Sequence, residues 1–381
     1  MLSRHKLMIR PGRSLWAAGF VLSAVAWTTA AAQDLPARLS DSAFWRLVTD
    51  VSEPGGYFRS DNFVSNETSY QLVLADLTHR VKPGAVYVGV GPDQNFTYIV
   101  ALHPRLSFVC DIRRQNMLEH LMYKAILEQS NDRADFLSYL FSRPRPPGLD
   151  TASSASALME KFYAVPPDSL TYRRHLSEVK DLLTKKHGFT LTDDDLKGIE
   201  YVFSAFYSAG PDITYNFPGY GGRGFMRGMP TYAELMVATN GKGEDLGYLG
   251  NEANYRVLRA IERDNLIVPV VGDFGGDKAL RAIGSYVAQH HATIGALYTS
   301  NVEQYLFQQT DAWRRFYTNV GTMPLDSGST FIRAVFNGMG FRTAGGVRAA
   351  MLLAPIAEQV RMFNEGRLTS YYDVIQTSKE P

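Results

Sequence analysis

Lys82-Pro83-Gly84-Ala85-Val86-Tyr87-Val88-Gly89-Val90-Gly91-Pro92-Asp93-Gln94-Asn95 is the stretch on which the fold turns. A Pro-Gly turn leads into Ala85 to Val90, a short apolar run that ends among glycines. Apolar residues at every position, rather than every second one, predict a strand buried on both faces. Glycines at its end let the backbone turn tightly and approach a ligand with no side chain between.

The same pattern recurs outward from this stretch. Leu106 to Cys110 predicts a second buried strand, followed by a helix over Arg113 to Gln129. Leu266 to Val271 predicts a third, with a helix over Lys278 to His290, and Thr293 to Thr299 a fourth. Buried strands alternating with amphipathic helices indicate βαβ units and a parallel sheet. The expected fold is therefore α/β: a doubly wound, mostly parallel, Rossmann-like sheet with a large, mainly helical and irregular insertion. Its expected parts are residues 33–130, with the first half of the sheet domain, the insertion over 131–262, and the second half with the C-terminal segment over 263–381. Within the insertion, the proline-dense Arg143 to Gly148 and the Gly/Pro/Tyr-rich Ala209 to Met229 predict long loops. Tyr215 to Gly222 reads either as a mobile aromatic loop or as a packed irregular connection.

In an open parallel sheet, ligands bind beyond the carboxyl ends of the strands. The first strand ends in Gly89-Val90-Gly91. The second ends in Asp111, 22 residues after Gly89, a spacing at which an acid accepts from ribose hydroxyls. The third ends in Gly272-Asp273-Phe274, an acid and an aromatic ring suited to an adenine. The fourth ends in Tyr298 to Glu303, where Tyr298, Asn301 and Glu303 are the candidate catalytic residues. Each has a plainer reading: a tight turn at the glycines, a helix cap at Asp111, a stabilised turn at Asp273. The coincidence of all three strand ends favours a nucleotide site.

Lys82 to Gly91 resembles the Lys-Pro-Gly lead-in and first glycine-rich motif of class I S-adenosylmethionine-dependent methyltransferases. Asp111 matches the acid which that family uses for the cofactor ribose, and Asp273-Phe274 resembles its adenine-contacting motif. The chain also resembles an uncharacterised group of bacterial methyltransferase-like proteins through Ser60 to Glu67 and Ser300 to Leu306, over most of residues 40–340. The resemblance implies S-adenosylmethionine as cofactor, held by Gly89, Val90, Gly91, Asp111, Asp273 and Phe274. Two positions depart from the pattern: Tyr87 stands where the family carries an acid, and Asp93 replaces the third glycine. Glu67 or Asp93 is then expected to take over the methionine amino group. Asn62, Asn66 and Glu67 read as a lid over the pocket; the alternative makes Ser65 or Asn66 the cap, and Glu67 part of the first turn, of a helix over Thr68 to Arg80. Gln94 breaks the Gly-x-Gly-x-x-Gly of nicotinamide dehydrogenases.

The N-terminus carries its own signal. Arg4, Lys6, Arg10 and Arg13 precede the apolar run Leu15 to Trp27 and the small residues Ala30 to Ala32, with no acid before Asp34. That order predicts a signal peptide over residues 1–32, cut after Ala32, and a periplasmic or secreted protein without stable membrane insertion. The run is shorter than the roughly 20 residues of a spanning helix, although an uncleaved anchor is the alternative. Cleavage takes the count from 39 basic and 38 acidic residues to 35 and 38, a formal net charge of −3. That balance argues against a nucleic-acid partner; the expected partner is a small-molecule or otherwise unknown substrate. Cys110 stands alone, excluding an intrachain disulfide, and no metal-ligand spacing, nucleophile elbow or Walker loop is present. Three functions remain open: an exported methyltransferase-like protein, a non-catalytic binding module on that fold, or an enzyme of another class reusing it. Export weighs against the first, because S-adenosylmethionine is made in the cytoplasm.

Overall fold

Short, fully buried strands form the centre of the molecule. The computed structural model describes residues 34–216, 229–336 and 349–380; residues 1–32, expected to be a signal peptide, and most of the Tyr215 to Gly222 tract lie outside them. The six strands are β1 (Val86–Gly89), β2 (Ser107–Asp111), β3 (Ile267–Val271), β4 (Ile294–Ser300), β5 (Thr330–Phe336) and β6 (Ala349–Pro355). The sheet order is β3-β2-β1-β4-β5-β6, parallel throughout except for β6, which runs antiparallel to β5. This α/β arrangement is consistent with a Rossmann-like fold. The first four strands fall within a residue or so of their expected bounds. β5 and β6 have no counterpart among the expected strands.

The order reverses between β1 and β4. From β1 the chain steps through β2 to β3, and from β4 it steps the other way to β5. Right-handed crossovers then place α3 (Gln94–Leu102) and α4 (Arg114–Gln129) on one face, and the helix Ala279–Gln289 on the other. Both α3 and α4 are buried nearly all round, because the segment between β2 and β3 packs a further helical layer onto them. Helices Asp193–Ala209 and Glu252–Arg263 of that segment both contact α4. A helix enclosed on all sides needs apolar residues all round, and α4 departs from that rule at Asn116, Glu119, His120 and Lys124, all buried.

Two N-terminal features shape the strand ends. After α1 (Asp41–Val51), residues 52–66 run as a strap across the carboxyl ends of β2 and β3. Glu53 N–H donates to the Val271 carbonyl at 3.0 Å and Gly56 N–H to the Ile112 carbonyl at 2.8 Å. The helix expected from Thr68 begins only at Leu74, as α2 (Leu74–Arg80). Residues 68–73 form turns instead, because their side chains are committed to distant backbone. Tyr70 OH donates to the Leu235 carbonyl at 2.8 Å and Gln71 Nε2 to that of Ala238 at 2.8 Å. Residues 33–381 constitute one compact unit, and no helix among the described residues is long and apolar enough to cross a membrane.

Candidate functional site

A cavity of about 430 Å³ opens where the strand order reverses, lined from the ends of β1, β2, β3 and β4 and by the strap. Its floor is the loop after β1. Asn95 Nδ2 donates to the carbonyls of Val90, Gly91 and Pro92 at 3.0, 3.2 and 2.7 Å, while its Oδ1 accepts from Tyr87 OH at 2.8 Å. Tyr87 thus locks the loop rather than facing the cavity. A Cβ on Gly89 would lie 1.9 Å from Asn95 Oδ1, so glycine there is a packing requirement. Gly91 has φ +80 and open space where a Cβ would point; with Val90 it lines the cavity and Gly89 does not. Beneath the loop, His120 Nε2 donates to the Gly91 carbonyl at 2.9 Å. Burial pushes the His120 imidazole down to about 4, so the ring is neutral at physiological pH.

At the β2 end, Asp111 lines the cavity and is 4% exposed. It does not cap α4. Its Oδ1 accepts from Arg113 N–H at 2.8 Å and Arg113 Nε at 3.1 Å, and its Oδ2 from Arg113 Nη2 at 3.0 Å. At the β3 end, Asp273 Oδ1 accepts from Gly275 N–H at 2.8 Å and the Asp273 N–H donates to Glu53. Asp273 therefore does stabilise the glycine-rich turn, and it also lines the cavity beside Phe274, whose ring stacks on Phe316 at 5.8 Å.

On the β4 side lies Glu67, 1% exposed. Its Oε2 accepts from Gln94 Nε2 at 2.7 Å and Tyr298 OH at 2.9 Å, and its Oε1 accepts from Ser300 Oγ. All three partners are neutral. Burial raises the Glu67 carboxyl above its usual range, against the pull of these donors. Ser300 (φ +49) and Asn62 (φ +52) both hold left-handed backbone, and both line this cavity. Such strain in non-glycine residues costs on the order of 1–2 kcal/mol each and gathers at functional sites.

Of the residues singled out from the sequence, Asn62, Asn66, Glu67, Val90, Gly91, Asp111, Asp273, Phe274, Tyr298 and Asn301 meet around this cavity. Two carboxylates turn elsewhere. Asp93 is buried behind the loop, where its Oδ2 accepts from Tyr248 OH at 2.8 Å and desolvation pushes its carboxyl up to about 7. Glu303 is enclosed with Arg333, whose Nε and Nη2 donate to it at 2.6 and 3.1 Å, and it also accepts from Tyr317 OH and from Thr299. A carboxylate satisfied so fully by a buried guanidinium is a structural member of the β4–β5 layer, and the catalytic expectation for it is corrected.

Sequence reasoning missed Arg113, Ser300 and Gln94, and the aromatic mouth of Tyr57, Phe58 and Tyr305. The Asp-x-Arg spacing of Asp111 and Arg113 was the available signal for the first. Among the described residues no group of three or more His, Cys, Asp or Glu side chains is arranged to hold a metal ion. No curated protein matches the chain. One family does, over residues 62–364, from the strap through the glycine loop and every strand of the sheet to the helix Ile356–Asn364. The chain belongs to that family, described as Domain of unknown function (DUF7790).

Proposed function

We propose that the cavity binds an adenosyl sulfonium ligand, S-adenosylmethionine, and that the protein is a methyltransferase-like protein exported from the cytoplasm. The observation that carries this reading is the charge of the cavity wall. Glu67, Asp111 and Asp273 contribute three carboxylates, while the one guanidinium among the described lining residues, Arg113, is engaged with Asp111. A pyrophosphate-bearing dinucleotide would meet these acids without a free cation among the described lining residues. A ligand carrying a sulfonium and an ammonium would be favoured by them.

In this reading the methyltransferase type of the sheet accounts for the division of the cavity. Asp111 takes the ribose, Asp273 and Phe274 the adenine, and Gly91 admits close approach of the ligand to the backbone. Glu67 serves as the counter-charge that the Tyr87 position does not supply. A buried carboxylate with neutral partners costs free energy that a cationic ligand group offsets. Tyr298 and Asn301 flank the end where an acceptor would lie, and Asn62 and Asn66 close the cavity from the strap. When bound, the cofactor supplies an electrophilic methyl group, and the chain's part is chiefly alignment.

Calorimetry of the mature protein tests the reading. S-adenosylmethionine and its demethylated product should bind and a nicotinamide dinucleotide should not; the reverse order would overturn it. Export is tested separately by mass spectrometry from the native host, which should find Gln33 as the first residue. A second reading, a non-catalytic periplasmic binding module, is favoured by the Tyr87 substitution and by the compartment. It predicts binding of S-adenosylmethionine without conversion to the demethylated product under any acceptor offered.

A further inference from the structure

The ribose reading leaves one residue unexplained. Arg113 is 5% exposed, sits between β2 and α4, and lines the cavity beside Asp111. Its backbone is extended (φ −88, ψ 126), and α4 begins without any side-chain cap there. The guanidinium is used on two sides. Nε and Nη2 take both oxygens of Asp111, and Nη1 donates to the carbonyls of Asp61 and Ser60 on the strap. The same stretch of strap is held from the other side, where Asp61 N–H donates to Asn216 Oδ1 at 2.9 Å.

We infer that Arg113 is a positioning residue that sets the ribose specificity of the site. A carboxylate offers about four acceptor directions. Arg113 occupies three at Asp111, two on Oδ1 and one on Oδ2, and no other donor among the described residues takes the remaining one on Oδ2. The acid is thereby fixed in one rotamer, with one direction open to a hydroxyl. The consequence is an asymmetric reading of the ribose: one of its two hydroxyls is bound by the charged oxygen, and the other is not. Because the same guanidinium holds Ser60 and Asp61, the acid that reads the sugar and the strap that covers it form one unit. This inference rests on the adenosyl reading above.

Calorimetry of the full mature chain with adenosine, 2′-deoxyadenosine and 3′-deoxyadenosine tests it. The wild type should discriminate against one deoxy form by roughly tenfold or more and against the other by much less. Arg113→Met should bring the larger ratio close to one, as should Asp111→Asn, and the double variant should lose nothing further. Arg113→Lys keeps a cation but loses the fork, and should retain only part of the preference. That variant carries the test if Arg113→Met fails to fold. An arginine that merely supports the fold predicts lower melting temperatures with the ratio intact, and that result would overturn the inference alone. Equal wild-type affinity for all three nucleosides, or binding of none, would overturn the ribose reading and the inference with it.

Discussion

Asp111 and Glu67 are both buried carboxylates on the wall of one cavity, yet their surroundings differ in kind. Asp111 faces a guanidinium that takes both its oxygens. Glu67 faces an amide, a phenol and a hydroxyl, none of them charged. A carboxylate held by a fixed bidentate partner keeps its orientation whether or not a ligand is present. One held only by neutral donors in a desolvated place binds a proton more readily and gains from a cationic ligand. The first end of the cavity is preorganised, while the second is poised. Glu303 extends the comparison, since it has the same kind of partner as Asp111 but no access to the cavity.

The largest expected effect is at that third acid. Glu303→Ala leaves the buried Arg333 guanidinium unpaired, a loss of about 3–5 kcal/mol of stability. Denaturant unfolding should show it, while affinity per folded molecule for an adenosyl ligand stays unchanged. A selective loss of affinity with stability intact would return Glu303 to the site. Next comes Asp111→Asn, which keeps shape but weakens a charge-assisted hydrogen bond worth about 1.5–3 kcal/mol. Calorimetry should read a loss of roughly tenfold to a hundredfold in adenosyl affinity. Unchanged affinity would make the Asp111–Arg113 pair purely structural.

Glu67→Gln tests the poised end. The folded state raises the proton affinity of Glu67 above that of the unfolded chain. Its favourable contribution is therefore complete below the ordinary carboxylate range and is lost as pH rises through the raised value. Without ligand, the Gln variant should gain stability relative to wild type at about pH 8, and the difference should shrink toward about pH 4. With S-adenosylmethionine the order should invert, the variant binding roughly tenfold more weakly at neutral pH. A pH-independent difference in melting would show that Glu67 is not the titrating group. The smallest effect belongs to Asp273→Ala, which removes the hydrogen bond to Gly275 N–H and should cost about 0.5–1.5 kcal/mol. If affinity per folded molecule falls as well, Asp273 contacts the ligand in addition to closing its turn.

The legibility of the sequence followed the range of the interactions. Strands β1 to β4 were readable because each is a short, wholly apolar run bounded by turn residues, and that pattern is local. β5 (Thr330–Phe336) carries Arg333 in its middle, which breaks the apolar run. Only the pairing of Arg333 with Glu303, 30 residues away, makes that strand fit a buried sheet. Residues 68–73 read as helix for the converse reason: the pattern was right locally, and contacts with residues more than 160 positions distant overrode it.

The sequence by itself determined the class of sheet, the glycine turn after β1, and which residue types stand at the ends of β1 to β4, since backbone sterics and burial act residue by residue. Where each acid points was decided only by the tertiary structure. Asp93 and Glu303 sit beside cavity residues in the sequence, and both turn inward because Tyr248 and Arg333 satisfy them there. Glu67 is remote from the strand ends in sequence and reaches them because Gln94, Tyr298 and Ser300 converge on it. A buried charge takes the orientation in which its partners lie, and those partners come from wherever the chain folds back.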